Sequence, residues 1–127
     1  MRQGKTMRRA LLALIVMTGL EARAAELVMV EESWCTWCER WDDEVGIIYH
    51  KTREGRRAPL RRVDIHDELP PDLNFAMRPQ YTPTFVLFDN GREVGRIEGY
   101  PGEEFFWGLL EQLLDKLPAD PAQHGGS

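Results

Sequence analysis

The sequence is poor in cysteine, in histidine and in long apolar runs. Its 127 residues include two cysteines and three histidines. Two cysteines cannot build the multi-bridge framework on which small secreted folds rely. Structural zinc usually takes four Cys or His ligands, often as two spaced pairs. Here there is one pair, Cys35 and Cys38, and His50, His66 and His124 are scattered along the chain. A membrane span needs about 20 apolar residues. The marked apolar run at residues 10–20, "ALLALIVMTGL", is too short for that. Positive charge is lacking too, with 16 Lys and Arg against 21 Asp and Glu and a formal net charge of −5. Neither nucleic acid nor an anionic membrane surface is expected to attract such a chain. No internal repeat is visible.

The first residues belong to a different logic. Arg2, Lys5, Arg8 and Arg9 precede the apolar run, and "ARA" at Ala22, Arg23 and Ala24 follows it. A basic start, a short apolar stretch and small residues at the cleavage spacing predict a secretory signal peptide over residues 1–24. The Arg8-Arg9 pair raises twin-arginine export, but its flanks fit general secretion better. Cleavage removes five basic residues and one acid, leaving 11 basic against 20 acidic, a net charge of −9. An exported chain meets oxidising surroundings. A cysteine pair there is either a stable staple or a pair that is actively recycled. The expected location is the periplasm, with no stable membrane insertion.

The remainder predicts one α/β domain over residues 25–117 and a disordered tail over 118–127. "LVMVEE" opens with a Val-rich apolar run, the pattern of a strand buried on both faces. Trp41, Val45, Ile48 and Tyr49 recur at helical spacing, which predicts a helix over residues 35–53. Residues 54–59 read as a turn and 60–65 as a second strand. Strand, helix and strand in that order form a parallel crossover unit. Residues 67–80 are polar and interrupted by proline, with one short helix expected at 71–76. "TFVLFD" is a strong strand, Asn90-Gly91 a hairpin turn, and residues 92–99 the returning strand. Phe105, Phe106, Leu109, Leu110, Leu113, Leu114 and Leu117 give residues 102–117 one apolar helical face. A four-stranded mixed sheet flanked by helices results. A core of that size needs no structural disulfides.

The pair sits in "WCTWC", between a strand and a helix. Three chemistries compete for it: a structural disulfide, a soft-metal site and thiol–disulfide exchange. A bond across two residues closes a tiny loop and constrains the unfolded chain little. Two thiolates alone can hold a soft metal. Exchange fits the position better. A helix N-terminus carries partial positive charge and unpaired N–H groups, which favour the thiolate that does the chemistry. Cys35 would start the helix as the more exposed nucleophile, and Cys38 would lie one turn in as the resolving thiol. Glu39, Asp42 and Asp43 work against thiolate formation if they face the pair; otherwise they are a solvated face. Pro83, in "YTPTF", is admissible as the first residue of a strand on simple grounds. Arg53, Arg56, Arg57, Arg61 and Arg62 form a basic run that the crossover carries to the end of the sheet opposite the pair. It reads as a solvated turn or as a docking patch for an acidic partner.

"WCTWC" followed by "TPTFVLFDNG" resembles the thioredoxin family, over residues 27–117. The resemblance implies a cis Thr82-Pro83 bond beside the cysteines, with the Thr82 backbone bonding an extended substrate chain. Within the family, "ELVMVEE", "CERWD", "YHKTREGRRAPLRRVDI" and "TPTFVLFDNGREVGRIEGYPGEEFFWGLL" resemble the SoxS thioredoxins, small exported members tied to bacterial sulfur oxidation. That implies a monomeric reductase that keeps a sulfur-carrier protein's cysteine active. A membrane thiol reductant of the DsbD or CcdA kind would recharge it, and no cofactor is needed because the cysteines carry the electrons. Trp34 and Trp37 would present apolar docking surface around the thiols, unless one of them is core. The chain departs from the family in three respects. The first strand and helix of full-length thioredoxins are missing. Met29 stands where most members bury an aspartate, so Glu31 or Glu32 would have to replace it. Thr36-Trp37 lies between the cysteines instead of Gly-Pro. Two further readings use the same pair: a thiol reductase of cytochrome c maturation, and a soft-metal or regulatory binding module without turnover.

Overall fold

In the computed structural model, residues 25–119 are described. The signal peptide expected at 1–24 and most of the tail expected at 118–127 lie outside them. The chain order is β1 (Glu26–Glu31), α1 (Thr36–Trp41), a π-helical turn (Asp42–Gly46), α2 (Ile47–Tyr49), α3 (Arg53–Arg57), β2 (Leu60–Asp64), β3 (Thr84–Asp89), β4 (Arg92–Glu98) and α4 (Glu103–Leu114). The four strands form one mixed sheet in the order β2-β1-β3-β4. β1 runs parallel to β2, with Met29 opposite Arg62. It runs antiparallel to β3, with Val30 opposite Thr84, and β3 returns antiparallel into β4.

Leu27, Val28, Met29 and Val30 are all buried, as a central strand with two covered faces requires. Alternate residues feed two separate cores. Leu27, Met29, Phe85, Leu87 and Ile97 meet Trp41, Val45, Tyr49, Phe106, Leu110 and Leu113 from the helices. Val28, Val30, Val63, Val86 and Phe88 meet Leu73 on the other face, with Ile65, Leu69 and Phe75 partly covering them.

The structure corrects several local expectations. The single helix over 35–53 is a helical run from Thr36 to Tyr49 that widens in its middle. There the Ile47 N–H reaches back to the Asp42 carbonyl, an i→i−5 bond. The expected turn at 54–59 contains α3. Its start is capped by Thr52, whose hydroxyl accepts the Gly55 N–H at 3.0 Å. No helix forms at 71–76. The Asn74 N–H, which a helix would direct to the Pro70 carbonyl, donates instead to the Gly91 carbonyl at 2.8 Å, and the segment lies as an irregular cover. On α4, Phe105 is exposed and Leu109 borders on it, so the buried stripe is narrower than the apolar residues suggested. The basic run is not one patch. Arg61 and Arg62 are neighbours on a strand and point to opposite faces. Arg61 pairs with Asp72 at 2.7 Å, and Arg62 with Glu31 at 2.6 Å and with Asp42.

Candidate active site

β1 ends at Glu31 and the helical run begins at Thr36. The turn between them delivers Cys35 as the N-cap residue, in extended conformation with φ −84° and ψ 99°. Its sulfur accepts the Cys38 backbone N–H at 3.1 Å. Sulfur therefore occupies the place where a capping oxygen would satisfy a helix-terminal donor. Cys38 lies one turn further in, and the two are joined as a disulfide with Cα atoms 5.2 Å apart. Cys35 is 9% exposed and Cys38 3%. The outer sulfur, that of Cys35, is the nearer to solvent.

Two tryptophans frame the pair. Trp34 is 95% exposed and holds a left-handed backbone with φ 65°. A bulky residue there costs about 1–3 kcal/mol. Trp37 is half exposed, and the Arg40 guanidinium lies over its ring, 5.5 Å from the centroid. Neither side chain belongs to the core. Tyr81 and Met77 are exposed as well; a lone apolar residue in a polar loop carries no pattern in the sequence.

Thr82 and Pro83 come from the loop before β3, and the bond between them is cis. Val30 faces Thr84 across the β1–β3 ladder. Two residues on from Val30 and two back from Thr84, that register brings Thr82 to Glu32, and the Thr82 hydroxyl donates to the Glu32 carboxylate. The proline loop is therefore tied to the segment that leads into Trp34 and Cys35. On the other side, the Gly99 N–H donates to the Pro83 carbonyl at 2.7 Å. Gly99 has φ 81°, a conformation suited to glycine.

The carboxylates at the end of β1 are already engaged. Met29 is fully buried and apolar. Glu31, on the same face of β1, pairs with Arg62. Glu32 accepts from Thr82 and lies 2.9 Å from His66 Nε2. Hydrogen bonds from Thr82 and then from His66 hold its carboxyl below the usual carboxylate range. Among the described residues no cluster of His, Cys, Asp and Glu could hold a metal ion. A cavity of about 450 Å³ lies between α3 and α4, lined by Arg53, Arg56, Arg57, Glu111 and Asp115 and remote from the disulfide.

A solved structure of the periplasmic thioredoxin SoxS from Paracoccus pantotrophus, in its reduced form, is 47% identical to this chain. The match covers 72% of this chain and 97% of that one, with a TM-score of 0.71. The chain belongs to the thioredoxin family. Two more distant structures share the fold. One is Trxlp from Edwardsiella tarda, at 23% identity and TM-score 0.52 over 68% of this chain and 82% of that one. The other is thioredoxin-2 of a malaria parasite, at 19% identity and TM-score 0.53 over 70% and 82%. Neither a family model nor a curated protein matches the chain. As a thioredoxin with a CxxC disulfide, the protein is a thiol–disulfide oxidoreductase. This thioredoxin has no helix, among its described residues, long and apolar enough to cross a membrane.

Proposed function

We propose that the protein is an exported, monomeric reductase of the periplasm that keeps a sulfur-oxidation carrier protein's cysteine free of disulfide or thiol adducts. The observation that carries this is the Cys35–Cys38 disulfide at a helix start in a chain 47% identical to a periplasmic SoxS thioredoxin. In the reduced protein the Cys35 thiolate attacks one sulfur of the substrate disulfide. A mixed disulfide forms, and the other substrate sulfur leaves as a thiolate and takes a proton. The Cys38 thiolate then attacks Cys35 Sγ. That step re-forms the intramolecular disulfide and releases the second substrate thiol. Two electrons pass from the dithiol to the substrate disulfide. A membrane thiol reductant of the DsbD or CcdA kind returns them. Residues 1–24 serve as the export signal and are removed.

Other parts of the site have roles in the same cycle. Thr82 and Pro83 present backbone to an extended substrate chain. Trp34 and Trp37 form an apolar docking rim, which their exposure and the strained backbone of Trp34 support.

Cys38→Ser tests the reading, because it blocks the second step and lets the mixed disulfide accumulate. Expressed in a sulfur-oxidising host, this variant should capture a sulfur-carrier protein through Cys35, released by dithiothreitol. Capture by Cys35→Ser and not by Cys38→Ser would reverse the assigned roles. Capture of apocytochrome c alone would replace the proposed substrate. Failure of the wild-type protein to reduce insulin, together with tight Cu(I) binding, would leave a metal-carrying module.

A further inference from the structure

Glu32 lies just past the end of β1 and joins three separate stretches of chain. Its carboxylate accepts from the Thr82 hydroxyl of the proline loop and meets His66 Nε2, beyond the end of β2, at 2.9 Å. His66 is itself held by its backbone N–H, which donates to Asp64 Oδ1 at 2.8 Å. Neighbouring acids do not share this placement. Glu31, one residue earlier, faces the helices and pairs with Arg62.

The bond to Thr82 uses the side chain alone. Among the described residues, no partner takes the backbone N–H or C=O of Thr82. These are the groups that an extended substrate chain would pair with, in the manner of an added strand. Thr82 sits in an irregular stretch outside any strand, next to the exposed Tyr81. With the side chain fixed and the backbone left open, the loop is pre-organised for a polypeptide. Without that restraint, binding would have to order the loop first.

We infer that Glu32 is a positioning residue that fixes the Thr82-Pro83 loop for polypeptide substrates, acting through the Thr82 hydroxyl. The inference rests on the proposed role of Thr82 and Pro83 as substrate platform. It separates two kinds of substrate. A polypeptide disulfide uses the loop, whereas a small aromatic disulfide reaches Cys35 without it.

The test compares Glu32→Ala, Thr82→Val and Glu32→Gln with the parent protein. Insulin serves as polypeptide substrate, with dithiothreitol recycling the dithiol; 5,5′-dithiobis(2-nitrobenzoate) serves as the small one, in a single turnover of protein reduced beforehand and freed of dithiothreitol. Glu32→Ala and Thr82→Val break the same bond. Each should raise KM for insulin about three- to tenfold, and in Glu32→Ala kcat and the small-disulfide rate should stay within about twofold of the parent. The double variant should be no worse than either single one, since the bond is lost only once. Glu32→Gln keeps an acceptor for Thr82 and should restore the parent KM. Equal losses on both substrates, additive effects in the double variant, or no change in Glu32→Ala would overturn the inference. Pro83→Ala separates it from the platform reading. If Pro83→Ala raises the insulin KM and Glu32→Ala does not, only the role of Glu32 fails. If Pro83→Ala leaves the insulin KM unchanged, the platform fails and the inference with it.

Discussion

At the scale of single residues, Trp34 stands out for holding a conformation that its side chain disfavours. It is 95% exposed, so it contributes little to the core, and its φ of 65° strains the backbone. A residue that costs stability and packs nothing is kept for something else. Asparagine tolerates the left-handed region, because it lacks a bulky ring and can bond locally. Trp34→Asn should therefore leave stability unchanged or raise it by up to about 1 kcal/mol in urea unfolding. The same variant should lose partner capture in a Cys38→Ser background, because the rim beside Cys35 is gone. A drop in stability of more than about 1 kcal/mol would show that Trp34 packs in solution and has a structural role. Two features of the site differ in how far the sequence shows them. The spacing of Cys35 and Cys38 marks the pair but leaves three chemistries open, which the strand before it and the helix after it narrow. The bond between Glu32 and Thr82 has no such mark, because it joins residues that approach only through the β1–β3 register.

At the scale of elements, the helical run after Cys35 shows how a periodicity can mislead. Trp41, Val45 and Tyr49 follow one another at a spacing of four, and all three are buried. On a regular α-helix, with 3.6 residues per turn, such a spacing drifts around the surface. The π turn at Asp42–Gly46 takes up the drift. The sequence shows helix there but not its widening, since a period of four fits either form over a short window. Strands were easier to read. β1 and β3 have apolar centres, LVMV and FVLF, and buried sheet positions admit little else. β2 reads as a strand too, but closeness in sequence makes one cluster of arginines that strand alternation sends to opposite faces, Arg61 to one and Arg62 to the other. A π turn is an α-helix with one residue inserted, so removing a residue should restore the regular form. Deleting Asp43, which is exposed, would place the tryptophan, valine and tyrosine at i, i+3 and i+7, the buried stripe of an ordinary helix. The deletion should keep the fold, with Tm lowered by no more than about 5 °C. Deleting Glu39, before the π turn, rotates Trp41 away from the sheet relative to Cys38. It should cost about 3–5 kcal/mol, as loss of a buried aromatic does. Thermal melts of both variants decide the point; equal damage would mean that the widening is not an insertion.

At the scale of the whole molecule, the sheet is covered asymmetrically. Helices cover one face. The other is closed by residues 65–80, which form no helix among them. That cover is held from both edges of the sheet. Arg61, on edge strand β2, grips Asp72 with two bonds, at 2.7 and 3.1 Å. Arg96, on edge strand β4, donates to the Met77 carbonyl at 2.7 Å. The Asn74 N–H donates to the Gly91 carbonyl at 2.8 Å, which ties the segment to the hairpin turn. Polar anchors alone would leave Val28, Val30, Val86 and Phe88 facing water. Leu73 is 6% exposed and seals them, and Phe75 packs edge-on against Phe88, with ring centroids 4.9 Å apart. The cover leads directly into Thr82 and Pro83, so its docking sets where the proposed substrate platform lies. Leu73→Ala should cost about 2–4 kcal/mol in urea unfolding, as for a buried leucine. Leu109→Ala, on the outer side of α4 and 37% exposed, should cost less than about 1 kcal/mol. Hydrogen exchange adds the link to function. In Leu73→Ala the amides of residues 65–82 should lose protection before those of β1 and β3, because the cover opens while the four-stranded ladder stays closed. Loss of protection in all of these segments at once would mean that cover and sheet unfold as one unit. In that case the Thr82-Pro83 loop could not move without the core.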